Sequence, residues 1–185
     1  MTSPFFFGYG SLVNRATHLY SQAYPAQIKG WRRAWRHVEG REVAFLTAVP
    51  DQNSTIDGLI AGVPDGDWSA LDAREVWYQR DIAKDVSHTL TSTPHIEIYH
   101  APEALHRHAT APHPVLLSYI DVVVQGYLSE FGENGVARFF ETTDGWDAPI
   151  KNDRNTPIYP RHQKLSRYQK KLVDLHLNRV CAKRI

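Results

Sequence analysis

The chain has 185 residues, of which 42% are hydrophobic and 22% charged, which predicts one globular domain over residues 1–185 with a full core. A formal net charge of +1 gives no electrostatic reason to expect nucleic acid or an anionic membrane as a partner. The single cysteine, Cys181, excludes an internal disulfide and a cysteine-based zinc site, and with no secretory leader pattern we expect a cytoplasmic protein.

The stretch PFFFGYGSLVN at residues 4–14 joins an apolar run to a glycine-rich turn. The three phenylalanines predict a strand that is buried on both faces. Gly8 and Gly10 allow positive φ angles and a close approach to a ligand, and the N–H groups of such a turn can converge on an anion. The spacing also fits an ordinary tight turn. Val13 replaces the third glycine of a dinucleotide-binding loop, and no phosphate-loop lysine follows.

Residues 7–12, FGYGSL, resemble the signature loop of the gamma-glutamylcyclotransferase superfamily, and in particular of its ChaC-like branch. In that family the loop binds the γ-glutamyl group of the substrate. The resemblance implies an α+β fold, with a small mixed β-barrel or curved sheet flanked by helices. It also implies that the substrate is bound by the six residues of the motif, Phe7, Gly8, Tyr9, Gly10, Ser11 and Leu12.

The segments that follow have strand patterns. Residues 26–38 are rich in tryptophan and arginine, and we interpret the arginines as a solvated strand face more readily than as an anion-binding patch. Their GWRRAW sequence resembles a strand of ChaC-like proteins. Residues 42–49 and 56–63 are separated by turn-forming residues, which predicts a hairpin. Gly58 and Gly62 predict a bulge or a close backbone approach in its second strand.

The segment DWSALDAREVWY predicts a helix that Asp67 caps at its amino end. On this helix Trp68, Leu71, Glu75 and Tyr78 share one face, so the Glu75 carboxylate lies in an apolar stripe. Burial there would raise the pKa of Glu75, as a general base acting near neutrality requires.

The LDARE sequence that ends at Glu75 resembles the LDxRE motif of ChaC-like proteins, whose last glutamate is catalytic. The resemblance implies that Glu75 is the general acid and base. The alternative is a structural ion pair between Glu75 and Arg74 or Arg80. Val76 and Trp77 stand where family members often have a glycine before the tyrosine, so we expect the wall near the leaving group to differ.

Residues 78–86 and 95–100 have the alternating pattern of strands. Four histidines, His100, His106, His108 and His113, lie within residues 100–113. Such a cluster could hold a metal ion. Its prolines and alanines instead favour an exposed loop over the pocket, and we expect no metal.

Residues 115–131 and 133–140 predict two consecutive helices, with Gly126 of the first at a point of close packing. The first helix also resembles one in ChaC-like proteins. Tyr119 and Tyr127 can each pack in the core or place a hydroxyl in the pocket, and we include Tyr127 among the candidate substrate-binding residues.

The last third of the chain has the fewest diagnostic features. Residues 144–162 have the composition of a loop, in which Asn152, Asp153 and Arg154 could face the substrate or a partner chain. Residues 165–180 predict a structural helix. Its expected inward stripe is Leu165, Tyr168, Leu172, Leu175 and Val180.

The resemblance implies a cyclisation without a cofactor. The α-amine of a γ-glutamyl group attacks its own γ-carbonyl, which releases 5-oxoproline and an amino acid, peptide or amine. Glu75 transfers protons, and N–H groups of residues 9–12 hold the anionic end of the substrate and the developing oxyanion. We expect a small-molecule γ-glutamyl substrate, such as glutathione or another peptide, and a monomer or homodimer. A γ-glutamylamine substrate and a non-catalytic ligand sensor are the alternatives.

Overall fold

A mixed β-sheet of seven strands organises the fold in the computed structural model, which describes residues 3–110 and 112–185. The described residues form nine strands in all, which are β1 (Phe5–Gly8), β2 (Ala23–Arg36), β3 (Phe45–Gly62), β4 (Gln79–Ile82), β5 (Val86–His88), β6 (Ile96–His100), β7 (Val115–Leu116), β8 (Thr143–Asp144) and β9 (Ile150–Lys151). The sheet order is β4-β6-β1-β3-β2-β5, with β8 beside β2, while β7 and β9 form a separate pair.

The edge strands β4 and β5 do not pair with each other, so the sheet is open. Only residues 83–85 join them, and the sheet must therefore curve strongly to bring its two edges within reach of this link. The prediction of a single strand over residues 78–86 is wrong because the chain turns at Asp85, where φ is 53°. A curved, unclosed sheet with helices beside it confirms the predicted α+β class.

The described residues form three α-helices, α1 (Ser69–Arg74), α2 (Leu117–Glu141) and α3 (Arg167–Arg179). The two helices predicted over residues 115–140 correspond to α2, which is kinked at Gly132, where φ is 65°. None of these helices is long and apolar enough to cross a membrane.

The helix predicted near the carboxyl end, α3, begins at a capping box formed by Ser166 and Gln169. Its predicted stripe is partly wrong, because Tyr168 and Leu175 are 51% and 46% exposed. The helix is rotated so that His176 stacks on Phe140, with ring centroids 4.8 Å apart. Its buried residues are Leu172, Val173, His176 and Leu177.

β1 lies inside the sheet, antiparallel to β3 and parallel to β6. Its three phenylalanines are at most 6% exposed, which confirms the predicted buried strand. The predicted close approach at Gly58 is also confirmed, since a Cβ atom there would lie 2.5 Å from the carbonyl oxygen of Gly8. On α2, a Cβ atom at Gly126 would lie 2.6 Å from the backbone nitrogen of Asn14. Both glycines therefore pack neighbouring elements against the turn that follows β1.

The hairpin predicted between residues 42–49 and 56–63 is wrong. These residues contribute to one 18-residue strand, β3, which runs antiparallel to β2. The turn-forming residues 51–54 have no partner in β2, and they oppose Gly30, where the register shifts. Asp51 accepts hydrogen bonds of 3.0 and 2.6 Å within this bulge. The polar composition therefore accommodates a bulge of four residues and not a chain reversal.

The loop after β9 is held inside the molecule by charged side chains. Asp153 is buried and accepts hydrogen bonds from the N–H and the hydroxyl of Ser118, near the start of α2, at 2.8 and 2.5 Å. Arg154 forms ion pairs with Asp121 at 2.7 Å and with Asp174 at 2.8 Å. Both side chains therefore have structural roles within the chain. Together they anchor the stretch that leads to residues 158–161.

Candidate active site

Two adjoining cavities lie at the carboxyl end of α1. The outer cavity has a volume of about 350 Å³ and is bounded by Arg41, residues 43–45, the segment after α1, the start of α2 and residues 158–161. The inner cavity is smaller, about 40 Å³, and all six residues of the FGYGSL turn line it. The cavities share four wall residues, Ser11, Glu75, Tyr78 and Tyr119. Glu75 therefore lies at their junction.

The glycine-rich turn forms one wall of the inner cavity. It contains one 3-10 turn, Ser11–Val13, in which the Val13 N–H donates to the Gly10 carbonyl at 3.0 Å. The N–H groups of residues 9–12 donate to no backbone carbonyl within the described residues. A turn whose N–H groups lack backbone partners can bind an anionic group, and the Ser11 N–H also contacts the Tyr119 hydroxyl.

The two glycines of the turn are required by close packing. A Cβ atom at Gly8 would lie 2.6 Å from the Cβ atom of Leu12, and one at Gly10 would lie 2.7 Å from the hydroxyl oxygen of Tyr119. Neither glycine has a positive φ. The expectation that they supply positive φ angles is therefore wrong, and the close approach at both positions is to side chains of the protein itself.

A buried cation supports the turn from behind. Arg33 is fully buried, and its Nε donates to the carbonyl of Tyr9 at 3.1 Å and its Nη2 to the carbonyl of Asp57 at 2.5 Å. The Tyr127 hydroxyl also contacts the Tyr9 carbonyl at 2.9 Å and accepts a hydrogen bond from Arg33. Burial raises the pKa of Tyr127 to about 12, so this hydroxyl stays neutral.

This placement corrects the prediction that Tyr127 contacts substrate. Its side chain is fully buried behind the turn and lines neither cavity. Tyr119, on the same helix, lines both cavities instead. Tyr127 is therefore a supporting residue of the turn.

The carboxylate of Glu75 is placed by the end of α1. The predicted continuation of this helix to Tyr78 is wrong, because α1 ends at Arg74 and Glu75 is its C-cap with φ −105° and ψ 35°. The Glu75 side chain is 17% exposed, and its Oε1 lies 3.3 Å from Nε of Arg74. The other end of the Arg74 guanidinium donates to Ser11 Oγ at 3.2 Å. Arg74 thus links the carboxylate to the turn.

Burial raises the pKa of Glu75, and the positive charges of Arg74, Arg161 and Arg41 oppose this effect in decreasing order. The net shift is upward, so desolvation outweighs the three cations. A carboxylate with raised proton affinity at a cavity wall can accept a proton and return it. Glu75 thus forms the ion pair with Arg74 that the sequence left as the structural alternative. It is at the same time a titratable group in the walls of both cavities.

Hydroxyl groups of tyrosines complete the inner wall. Tyr9 donates to the Tyr99 carbonyl at 2.7 Å, and Tyr78 donates to the Leu46 carbonyl at 2.8 Å. The hydroxyl of Tyr99 donates to Asp72 at 2.5 Å, which makes Asp72 a structural partner of the site. These bonds fix the rings around Glu75.

The histidine-containing loop is not part of the cavity walls. His113 stacks on His37, with centroids 3.7 Å apart, and His106 contacts the Ala101 carbonyl at 3.0 Å. No described residue between His100 and Pro114 lines the outer cavity, so the expectation that this loop lies over the pocket is wrong. Residues 3–110 and 112–185 contain no group of three potential metal ligands.

Among the residues of the outer wall that sequence reasoning missed are three with polar side chains, Arg41, Tyr159 and Arg161. Arg41 lies in the β2–β3 connection, and its guanidinium covers the ring of Phe45 at 4.9 Å. The ring of Tyr159 packs edge-on against Tyr119 at 4.9 Å. None of the three belongs to a periodic pattern or motif, so no signal in the sequence singles them out.

Comparison with known families identifies the group to which this site belongs. The profile of the family described as gamma-glutamyl cyclotransferase, AIG2-like, matches residues 6–116, more than half of the chain. The chain belongs to this family. The match contains the FGYGSL turn and Glu75, and family membership supports a gamma-glutamyl cyclotransferase type of activity. No curated protein matches the chain with significant similarity.

Solved structures share the fold at low sequence identity. YkqA from Bacillus subtilis is 17% identical, with a TM-score of 0.58 over 78% of this chain and 57% of YkqA. An uncharacterized human protein is 14% identical, with a TM-score of 0.63 over 94% of this chain and 99% of its own. A protein named gamma-glutamyl cyclotransferase is also 14% identical, with a TM-score of 0.62 and the same coverage.

Proposed function

We propose that the protein is a γ-glutamyl cyclotransferase that converts the γ-glutamyl group of a peptide such as glutathione into 5-oxoproline. The observation that carries this proposal is the Glu75 carboxylate, whose pKa is raised by burial, at the junction of the two cavities. Beside it, the turn at residues 9–12 offers N–H groups without backbone partners. A proton acceptor and an anion-binding turn are the two elements that this reaction requires.

In the proposed mechanism, Glu75 removes a proton from the substrate's α-ammonium group. The freed amine attacks the γ-carbonyl, a carbon–nitrogen bond forms, and a five-membered ring closes. The bond to the leaving nitrogen then breaks as Glu75 returns the proton to that nitrogen, and a second proton passes between the two nitrogens through water. Because the nucleophile and the carbonyl belong to one molecule, positioning supplies much of the acceleration.

The FGYGSL turn has the binding role in this mechanism. We assign the N–H groups of Tyr9, Gly10, Ser11 and Leu12 to the negative charge of the substrate and of the developing oxyanion. Phe7 and Gly8 line the inner cavity below them. Arg33 strengthens the turn by fixing the Tyr9 carbonyl from behind.

We extend the proposal to the family branch, the domain organisation, the cofactor requirement, the location and the oligomeric state of the protein. The FGYGSL and LDARE motifs favour the ChaC-like branch, and the whole chain acts as one domain. The substrate is a small molecule, the reaction uses no cofactor, and the protein works in the cytoplasm as a monomer or homodimer, without nucleic acid or membrane partners.

The proposal is tested by incubating chelator-treated protein with glutathione and a panel of γ-glutamyl dipeptides, while 5-oxoproline is followed by mass spectrometry. We expect 5-oxoproline in stoichiometric amounts with the released amine. Ligand binding without 5-oxoproline from any member of the panel would contradict catalysis and favour the sensor alternative.

The raised pKa of Glu75 predicts the pH profile of this reaction. Glu75 must be ionised to accept the proton, so kcat/KM is expected to fall as pH drops through a value above the ordinary 4.5. Removing a nearby cation in Arg161→Gln should move this acid limb to higher pH. Arg179→Gln, on an exposed part of α3, should leave it in place. An acid limb at or below 4.5 would exclude Glu75 as the titrating base.

A further inference from the structure

The outer cavity carries an excess of positive charge. Its wall contains the guanidinium groups of Arg41, Arg74 and Arg161 but only one carboxylate, that of Glu75. Arg74 pairs with Glu75 at 3.3 Å. Within the described residues, the guanidinium groups of Arg41 and Arg161 take part in no ion pair and in no side-chain hydrogen bond. Two cations thus line the cavity without a direct ion-pair or side-chain hydrogen-bond partner among the described residues.

The positions of these two cations suit an anionic ligand. Arg41 is held over Phe45 and is only partly exposed, whereas Arg161 is exposed on the loop of residues 158–161. They approach the cavity from different loops, and both act on Glu75 electrostatically. Guanidinium groups bind carboxylates through charge-assisted hydrogen bonds, which their planar donor geometry favours.

The rim of the outer cavity is apolar. Val76, Trp77 and Ile158 line it and are 72%, 43% and 48% exposed, and Pro160 adjoins them. The Trp77 ring lies against the β2–β3 connection, 3.7 Å from where a Cβ atom of Gly40 would stand. Large apolar side chains concentrated at the mouth of a cavity are typical of a ligand-binding surface.

We propose that the outer cavity is the leaving-group subsite and that it selects γ-glutamyl conjugates of apolar amino acids. The carboxylate of the leaving amino acid binds Arg41 and Arg161, and its side chain packs on Trp77 and Ile158. This inference rests on the proposed function, because it places the γ-glutamyl group on the turn and the scissile bond at Glu75. The inference predicts that γ-glutamyl conjugates of amines without a carboxylate are poorer substrates. Conjugates with small or polar leaving groups should also be poorer substrates.

Two conjugates that differ only in the carboxylate, γ-glutamylphenylalanine and γ-glutamylphenethylamine, test the inference by calorimetric binding to Glu75→Gln protein. We expect the acid to bind about tenfold more tightly, and high salt to reduce this ratio. Adding Arg161→Gln, or Arg41→Gln together with it, should bring the ratio close to one. Adding Arg179→Gln removes an arginine outside the cavity and should preserve the ratio. Arg161 is exposed and makes no ion pair with another described residue, so the single variant Arg161→Gln should fold even where the double variant does not.

The apolar rim is tested by comparing γ-glutamylphenylalanine with γ-glutamylglycine. We expect about tenfold tighter binding of the phenylalanine conjugate, and a smaller difference in Trp77→Ala. Equal affinities of γ-glutamylphenylalanine and γ-glutamylphenethylamine would overturn the inference. An affinity ratio between these two conjugates that persists after both arginines are replaced would also overturn it.

Formation of 5-oxoproline from these conjugates by the wild-type protein is measured separately. Selective binding without 5-oxoproline would support the subsite and reject the catalytic function. Equal kcat/KM values for γ-glutamylphenylalanine and γ-glutamylphenethylamine would support the catalytic function and reject the subsite.

Discussion

A Glu75→Gln enzyme is expected to form 5-oxoproline about 10²- to 10⁴-fold more slowly than the wild type, the range typical of a lost general acid–base group. Glutamine has nearly the same shape and can keep a contact with Arg74, but it cannot accept the α-ammonium proton. The loss should therefore appear in kcat, while the dissociation constant of the substrate changes little. Single-turnover 5-oxoproline formation and calorimetric binding, measured on the same preparations, separate these two quantities.

Glu103→Gln is the matched control, since it removes an exposed carboxylate outside both cavities. It should keep wild-type turnover. Thermal unfolding of both variants establishes that they are folded. A folded Glu75→Gln protein with turnover close to that of the wild type would show that another group transfers the proton.

The parts of the site that lie close together in the chain could be predicted from sequence. The buried strand β1 and the turn after it depend mainly on adjacent residues, and their patterns are visible locally. Glu75 could be singled out as a carboxylate in an apolar stripe. The helical stripe explains this placement only in part, because α1 ends at Arg74 and Glu75 reaches the cavity wall from the C-cap position.

Features that depend on distant parts of the chain could not be predicted. The role of Tyr127 follows from a contact with Tyr9, 118 positions away in sequence, which no periodicity reveals. Arg41 and Arg161 reach the same cavity only because separate loops pack beside each other. The bulge in β3 has the composition of a reverse turn, and only pairing with β2 distinguishes the two.

Gly10→Ala is expected to lower kcat/KM by about 10²-fold, because displacement of a binding group by about 1 Å has effects of this size. The added methyl would lie 2.7 Å from the Tyr119 hydroxyl oxygen, so either the turn or the tyrosine must move. The Tyr119 ring is packed edge-on against Trp35 and Tyr159, with centroids 5.8 and 4.9 Å away, and cannot swing aside freely. We therefore expect the turn to shift and its N–H groups to lose their alignment.

The same geometry predicts a rescue. In Gly10→Ala/Tyr119→Phe the clashing oxygen is absent, and the nearest ring carbon, Cζ, lies 3.9 Å from the added methyl, an ordinary contact distance. The double variant should recover most of the activity lost in Gly10→Ala, measured against Tyr119→Phe alone, so that the two substitutions are strongly non-additive. Additive losses would mean that Gly10 serves the substrate directly and not the packing of the turn against Tyr119. Because the cycle compares kcat/KM ratios, it separates this steric coupling from any contribution of the hydroxyl itself.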